Sequence, residues 1–163
     1  MNIVLVDKND EPIGSKPIQT LGPNDIYRVA SLWVTNNNGQ VLLAQRQFGK
    51  RNDPGKWGPA VAGTVEVGET YEENIYKEAG EEIGLSGLKF NLGPKVFNDA
   101  NQERKFFVQW FICKCDWPQD KFKIQPEEVE QVAWITKAEL LADLKKSPGK
   151  YIAGSELVWS SFL

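Results

Sequence analysis

Runs of apolar residues, broken by turn-forming clusters, mark out a series of strands. Asn2 to Val6 is a short apolar run, Asp7 to Asp10 (DKND) reads as a turn, and Pro12 to Ser15 returns. Pro17 to Asp25 reads as a loop. Tyr27 to Thr35 (YRVASLWVT) predicts a strand closed by the turn Asn36-Asn37-Asn38-Gly39, and Val41 to Gln45 completes a hairpin. Arg46 to Lys56 is a loop with Asp53-Pro54-Gly55 as its turn signal. Trp57 to Gly63 predicts one strand, and Leu88 to Asn98 one or two more around Gly93-Pro94. Lys105 to Cys115 (KFFVQWFICKC) is apolar on both faces except at Gln109, the pattern of an interior strand. Asp116 to Gln125 is a polar loop, and Val132 to Ile135 a final strand.

Two helix starts are written as capping boxes, in which a threonine hydroxyl and a glutamate three residues on satisfy each other's backbone amides. Thr70 with Glu73 begins a helix at Tyr71 that Gly84 should end. Tyr71, Ile75 and Ala79 form its apolar ridge at i, i+4 spacing. Thr136 with Glu139 begins a second helix running to about Lys145, stopped by Ser147-Pro148-Gly149. The tail from Tyr151 to Leu163, with Leu157, Val158, Trp159 and Phe162, predicts a further helix packed on the sheet. Strands first, then a helix, more strands and terminal helices imply an α+β fold around a mixed sheet, with residues 1–163 forming one domain.

Charge narrows the function. The net charge of −3 argues against broad binding to nucleic acid or to an anionic membrane. No apolar run reaches membrane-spanning length. Cys113 and Cys115 lie too close together to staple distant segments, which suits a reduced, cytoplasmic setting. The chain has no histidine, so histidine–metal sites and a histidine general base are excluded. Acid–base work falls to carboxylates, lysine, tyrosine or metal-bound water.

The stretch Gly63 to Leu85 (GTVEVGETYEENIYKEAGEEIGL) holds seven glutamates against one basic residue, Lys77. Glu78, Glu81 and Glu82 stand at i, i+3 and i+4, so their carboxylates share a face beside the apolar ridge. Like charges at that spacing repel by a few tenths of a kcal/mol per pair, which a divalent cation would convert into coordination. Hard oxygen donors suit Mg²⁺ or Mn²⁺.

The spacing resembles the Nudix box: Gly63, five residues, Glu69, seven residues, then Lys77-Glu78-Ala79-Gly80-Glu81-Glu82-Ile83-Gly84-Leu85. One fixed position departs, with Lys77 where the family has arginine. Lysine keeps the charge but loses the bidentate fork. The resemblance implies an α/β/α sandwich. It also implies a metal-dependent pyrophosphohydrolase in which water attacks phosphorus in a nucleoside diphosphate derivative or another organic diphosphate. By position, Glu78 and Glu82 would bind the metal, Glu81 would bind it or act as base, and the Ala62 carbonyl would complete the shell. Glu69 would brace the loop against Lys77. A later glutamate, Glu127, Glu128 or Glu130, could serve as base instead.

Arg28 to Glu69 is similar to the isopentenyl-diphosphate isomerases, which share the fold. There the matching Arg46 and Lys50 grip the substrate diphosphate. Those enzymes use a Cys-Gly-His triplet where this chain has Ala62-Gly63-Thr64. The expectation is therefore an isomerase-like relative that keeps hydrolase chemistry. Isomerase activity and a non-catalytic nucleotide sensor are the alternatives, and the expected partner is a small-molecule diphosphate.

Overall fold

The apolar run around Tyr27–Thr35 becomes the axis of the sheet. The computed structural model describes residues 1–101 and 103–162, with the backbone alone at Asn101 and Leu157. In chain order the strands are β1 (Asn2–Val6), β2 (Pro12–Pro17), β3 (Ile26–Thr35), β4 (Gln40–Arg46), β5 (Trp57–Pro59), β6 (Val61–Thr64), β7 (Asn91–Asn101), β8 (Arg104–Lys114) and β9 (Val129–Thr136). The helices are α1 (Tyr71–Ile83), α2 (Lys137–Lys146) and α3 (Ser155–Trp159). All nine strands form one mixed sheet.

One edge of β3 pairs in parallel with β8 along its whole length, from Ile26↔Lys105 to Thr35↔Lys114. The other edge is shared by three antiparallel partners. β1 meets it at Tyr27, β6 from Val29 to Leu32, and β4 at Val34 and Thr35. The β3–β4 hairpin thus opens away from its turn, and residues 57–64 fill the gap. This explains why Trp57 to Gly63 is two strands where the pattern predicts one. β5 pairs with β4, β6 pairs with β3, and the chain crosses between them at the fully buried Ala60. Pro59, lacking an N–H, suits the break.

Other differences are local. Leu88 to Asn98 yields a single strand, β7, whose register shifts between Leu92 and Lys95, around Gly93-Pro94. β9 begins at Val129, earlier than the apolar pattern suggests, because Arg46↔Val129 extends its ladder with β4. The tail helix is short, and Gly154, at φ +85°, precedes it. Trp159 and Phe162 pack on Trp33 at ring-centroid distances of 5.6 and 5.0 Å, while the Leu157 side chain and Leu163 lie outside the described residues.

Alternation along β3 builds two cores. Ala30, Leu32 and Val34 face Ile75, Ala79 and Ile83 of α1. Trp33 faces the other way, with Val41, Leu43, Val108 and Trp110, under Leu140 and Leu144 of α2 and Trp159 of α3. The result is the expected α/β/α sandwich. Cys113 and Cys115 are buried and free. No helix among the described residues is long and apolar enough to cross a membrane.

Ile75 is fully buried at the centre of the α1 layer. Ile75→Ala is expected to cost about 2–5 kcal/mol and to lower the melting temperature by several degrees, measured by calorimetry. A shift under about 1 °C would mean that α1 is not held by this core.

Candidate active site

The site is built on α1, whose phase is fixed from both ends. Thr70 Oγ1 accepts from the Glu73 amide at 3.1 Å, and the Glu73 carboxylate accepts from the Thr70 amide at 2.8 Å. Gly84 closes the helix in the left-handed region at φ +67°. A clasp absent from the sequence pattern holds the first turn. The Tyr71 hydroxyl donates to Asp10, whose carboxylate also accepts from Arg28 at 2.7 Å and Lys95 at 2.5 Å.

With the helix so placed, Glu78 passes directly over Gly63. A Cβ on Gly63 would lie 2.4 Å from Glu78 Cγ and 2.7 Å from Asn74 Oδ1. Glycine is therefore required here by close approach, its φ being unremarkable. The loop between β6 and α1 is braced as the resemblance implies. Lys77 Nζ donates to Glu69 Oε1 at 2.5 Å and to Glu66 at 3.1 Å. Burial pushes the Glu69 carboxyl up, but hydrogen bonds from Lys77, Asn74 and the Glu66 amide outweigh it and hold the pKa below the ordinary value.

The remaining groups come from distant segments. Lys123 and Gln125 amides donate to the carbonyls of Ile83 and Glu82 at the end of α1. That docks the following segment against the helix and brings Glu128 to the site. The Gln47 amide donates to the Glu128 carbonyl at 3.0 Å, and Lys50 Nζ meets the Glu128 carboxylate at 2.5 Å. Ala62, Arg46, Glu82 and Glu128 together line a small cleft. Of the three later glutamates, Glu128 is the half-buried one, while Glu127 and Glu130 are exposed. Glu81 is exposed as well. Among the described residues no three carboxylates converge closely enough to hold a metal ion. The charges of Glu78 and Glu128 nevertheless lie near enough to Glu82 to raise its pKa, and that of Glu128 adds to the rise at Glu78.

That perturbation bears on what the site would accept. Burial, then the charges of Glu78 and Glu128, push the Glu82 carboxyl up to about 8, against the pull of Arg46 and Lys50. Glu78 is raised by burial too, with Lys77 opposing and Glu81, Glu69 and Glu128 adding to the rise. Half-buried carboxylates crowded against one another, beside a peptide carbonyl and with no histidine in the chain, are a donor set that fits Mg²⁺ or Mn²⁺.

A larger cleft of about 680 Å³ opens from the same place. Arg46, Ala62, Gly63 and Thr64 line one part of it, and Tyr27, Phe106, Trp110 and Trp159 another. Its size suits a small molecule.

The NUDIX domain matches residues 26–154. The chain belongs to the Nudix family. A Nudix hydrolase of Listeria monocytogenes, itself described as uncharacterised, is 31% identical over 91% of this chain and 86% of that protein. Isopentenyl-diphosphate Delta-isomerase 2 of Photorhabdus laumondii is 36% identical over 91% and 85%. In fold, this Nudix protein is similar to DR0079 of Deinococcus radiodurans, with a TM-score of 0.83 and 24% identity over the whole of both chains. It is also similar to an Ap4A hydrolase of C. elegans, with a TM-score of 0.61 and 20% identity over 83% and 94%.

Two contributors to this Nudix site lay beyond the sequence pattern. Asn74 is fully buried among the apolar residues of α1, and Glu66 shares Lys77 with Glu69. The one available signal was the i, i+4 spacing of Asn74 and Glu78.

The raised Glu82 pKa has a stability consequence. The folded value of about 8 exceeds the ordinary 4.5, so the folded state binds the proton more tightly. The associated stability is complete below about pH 4.5 and is lost as pH rises through about 8. In EDTA, Glu82→Gln is therefore expected to gain on the wild type as pH rises from 5 to 9. The gain should reach at least about 2–4 °C in melting temperature, the equivalent of about 1 kcal/mol at this chain length, since each unit of a raised pKa carries about 1.4 kcal/mol. Parallel curves across that range would contradict the crowding of Glu82.

Proposed function

We propose that the chain is a divalent-metal-dependent hydrolase that cleaves a diphosphate linkage in a nucleoside diphosphate derivative or another organic diphosphate. The observation that carries this reading is the meeting of Glu82, Glu128, Ala62 and Arg46, from four separate segments, at one small cleft beside a larger one. Glu78, Glu82 and the Ala62 carbonyl would hold Mg²⁺ or Mn²⁺, with Glu81 at the exposed edge of the same face. A bound divalent cation would neutralise phosphate charge and lower the pKa of a water molecule.

The chain's own groups divide the remaining work. Glu128 is the best-placed of the candidate bases, since Lys50 and the Gln47 amide fix its carboxylate and backbone respectively. Glu81 is the alternative base. Arg46 donates through Nε to the Asn52 carbonyl at 3.0 Å, which leaves its terminal nitrogens available to phosphate oxygens. Lys50, paired with Glu128, would act on the diphosphate more weakly than Arg46. Isomerisation of an isopentenyl diphosphate is favoured by relatives of that name, but Ala62 and Thr64 supply neither a thiol nor an imidazole.

The test is a screen with Mg²⁺ over nucleoside diphosphates and triphosphates, nucleotide sugars and prenyl diphosphates, scored by chromatography for phosphomonoester, pyrophosphate or phosphate products. Glu82→Gln is expected to reduce turnover at least about a hundredfold. Turnover indifferent to that substitution, or to EDTA, would remove the proposed site. Conversion of isopentenyl to dimethylallyl diphosphate above background would make the isomerase reading correct.

Arg46→Ala is expected to raise KM by about ten- to a hundredfold, the equivalent of about 1.5–3 kcal/mol for a charged hydrogen bond, with little change in melting temperature. Lys50→Ala should raise it less. Unchanged kinetics in both would return the loop to solvent.

A further inference from the structure

Asn74 combines three features that a purely structural helix residue would not need. It is 0% exposed, it is polar, and among the described residues its Oδ1 has no hydrogen-bond partner. An unpartnered buried polar atom costs about 1–3 kcal/mol, so stability alone would favour an apolar side chain here. Its Nδ2, however, is fully used. It donates to the Thr64 carbonyl at 3.0 Å and to Glu69 Oε2 at 3.0 Å.

The second of these bonds meets a need created by the sequence. An arginine at 77 could grip both oxygens of Glu69 with parallel N–H bonds. Lys77 has one nitrogen, and it takes Oε1. Asn74 takes Oε2, beside the Glu66 amide. The first bond reaches the strand. Thr64 ends β6, two residues beyond Ala62 and next to Gly63, over which Glu78 lies.

We propose that Asn74 is a positioning residue of the metal site, sharing with Lys77 the grip on Glu69 that a single arginine would provide and tying the end of β6 to the helix that carries Glu78 and Glu82. The proposal rests on the metal-site reading given above. Ligand groups tolerate only a few tenths of an ångström of displacement, so a loosened junction between β6 and α1 is felt in metal affinity before it is felt in the fold.

The experiment titrates MgCl₂ against melting temperature, which needs no turnover, for wild type, Asn74→Ala, Asn74→Ser, Lys77→Arg and the Asn74→Ala/Lys77→Arg pair. Asn74→Ala is expected to raise the Mg²⁺ concentration giving half the maximal shift by at least about tenfold. Asn74→Ser, which keeps one donor, should fall between. Lys77→Arg alone should stay within about threefold of wild type, and in the pair it should restore most of what Asn74→Ala loses. A lower melting temperature in EDTA with unchanged Mg²⁺ response would make Asn74 merely structural and overturn the proposal. So would a lost response that Lys77→Arg does not restore, or failure of Asn74→Ala, Asn74→Ser and the Asn74→Ala/Lys77→Arg pair all to fold. Absence of any Mg²⁺ shift in the wild type would instead overturn the metal-site reading itself, and this proposal with it.

Discussion

The close approach of α1 to β6 at Gly63 is the constraint on which the site depends. Where a side chain would stand there is Glu78 Cγ, so the helix rests on strand backbone. What holds it there is the apolar ridge. Ile75, Ala79 and Ile83 are fully buried against β3, and each isoleucine contributes about 1.5–3 kcal/mol. Repulsion among the carboxylates on the adjacent face is a few tenths of a kcal/mol per pair. Packing therefore wins, and Glu78 and Glu82 are carried into partial burial that they would avoid if free. Their raised pKa values record that imposition.

Features fixed by local chemistry were legible in the sequence. Both capping boxes and the Gly84 stop are written in residues within four positions of each other, and both helices begin where the boxes place them. The Glu69–Lys77 brace was legible because the box spacing specifies it. What could not be read depends on partners far along the chain. The division of residues 57–64 into β5 and β6 follows from two different strands offering edges, which no periodicity encodes. Glu127, Glu128 and Glu130 were equivalent as sequence. With Lys123 and Gln125 docked on the end of α1 and β9 starting early, Glu128 lines the small cleft with Glu82, while Glu127 and Glu130 stay exposed. Asn74 was missed because a polar residue between Tyr71 and Ile75 on a glutamate-rich helix reads as surface, whereas it is buried.

Cations at the site are spoken for to different degrees. Lys77 is shared among Glu66, Glu69 and Glu78; burial lowers its pKa, but hydrogen bonds to Glu69 and Glu66 and the charge of Glu78 hold it far above the ordinary value. Lys50 is tied to Glu128. Among the described residues the Arg46 side chain is bonded through Nε alone, to a backbone carbonyl, and keeps most of its guanidinium uncommitted while lying near Glu82. An anionic ligand arriving between the acidic helix and the loop would therefore compete least for Arg46.

The shared edge of β3 also bears on how the molecule assembles. α1 can form early, since its caps are local, but β8 must find β3 across roughly 80 residues, and parallel pairing of that kind carries a large loop-closure entropy. Among the described residues β6 takes its strand pairing from β3. The local caps of α1 can act before the sheet is complete, but the helix gains its buried ridge, and the junction at Gly63 its floor, only once β6 has paired with β3. Folding of this chain should therefore be paced by completion of the sheet, and the carboxylate face should take shape with it.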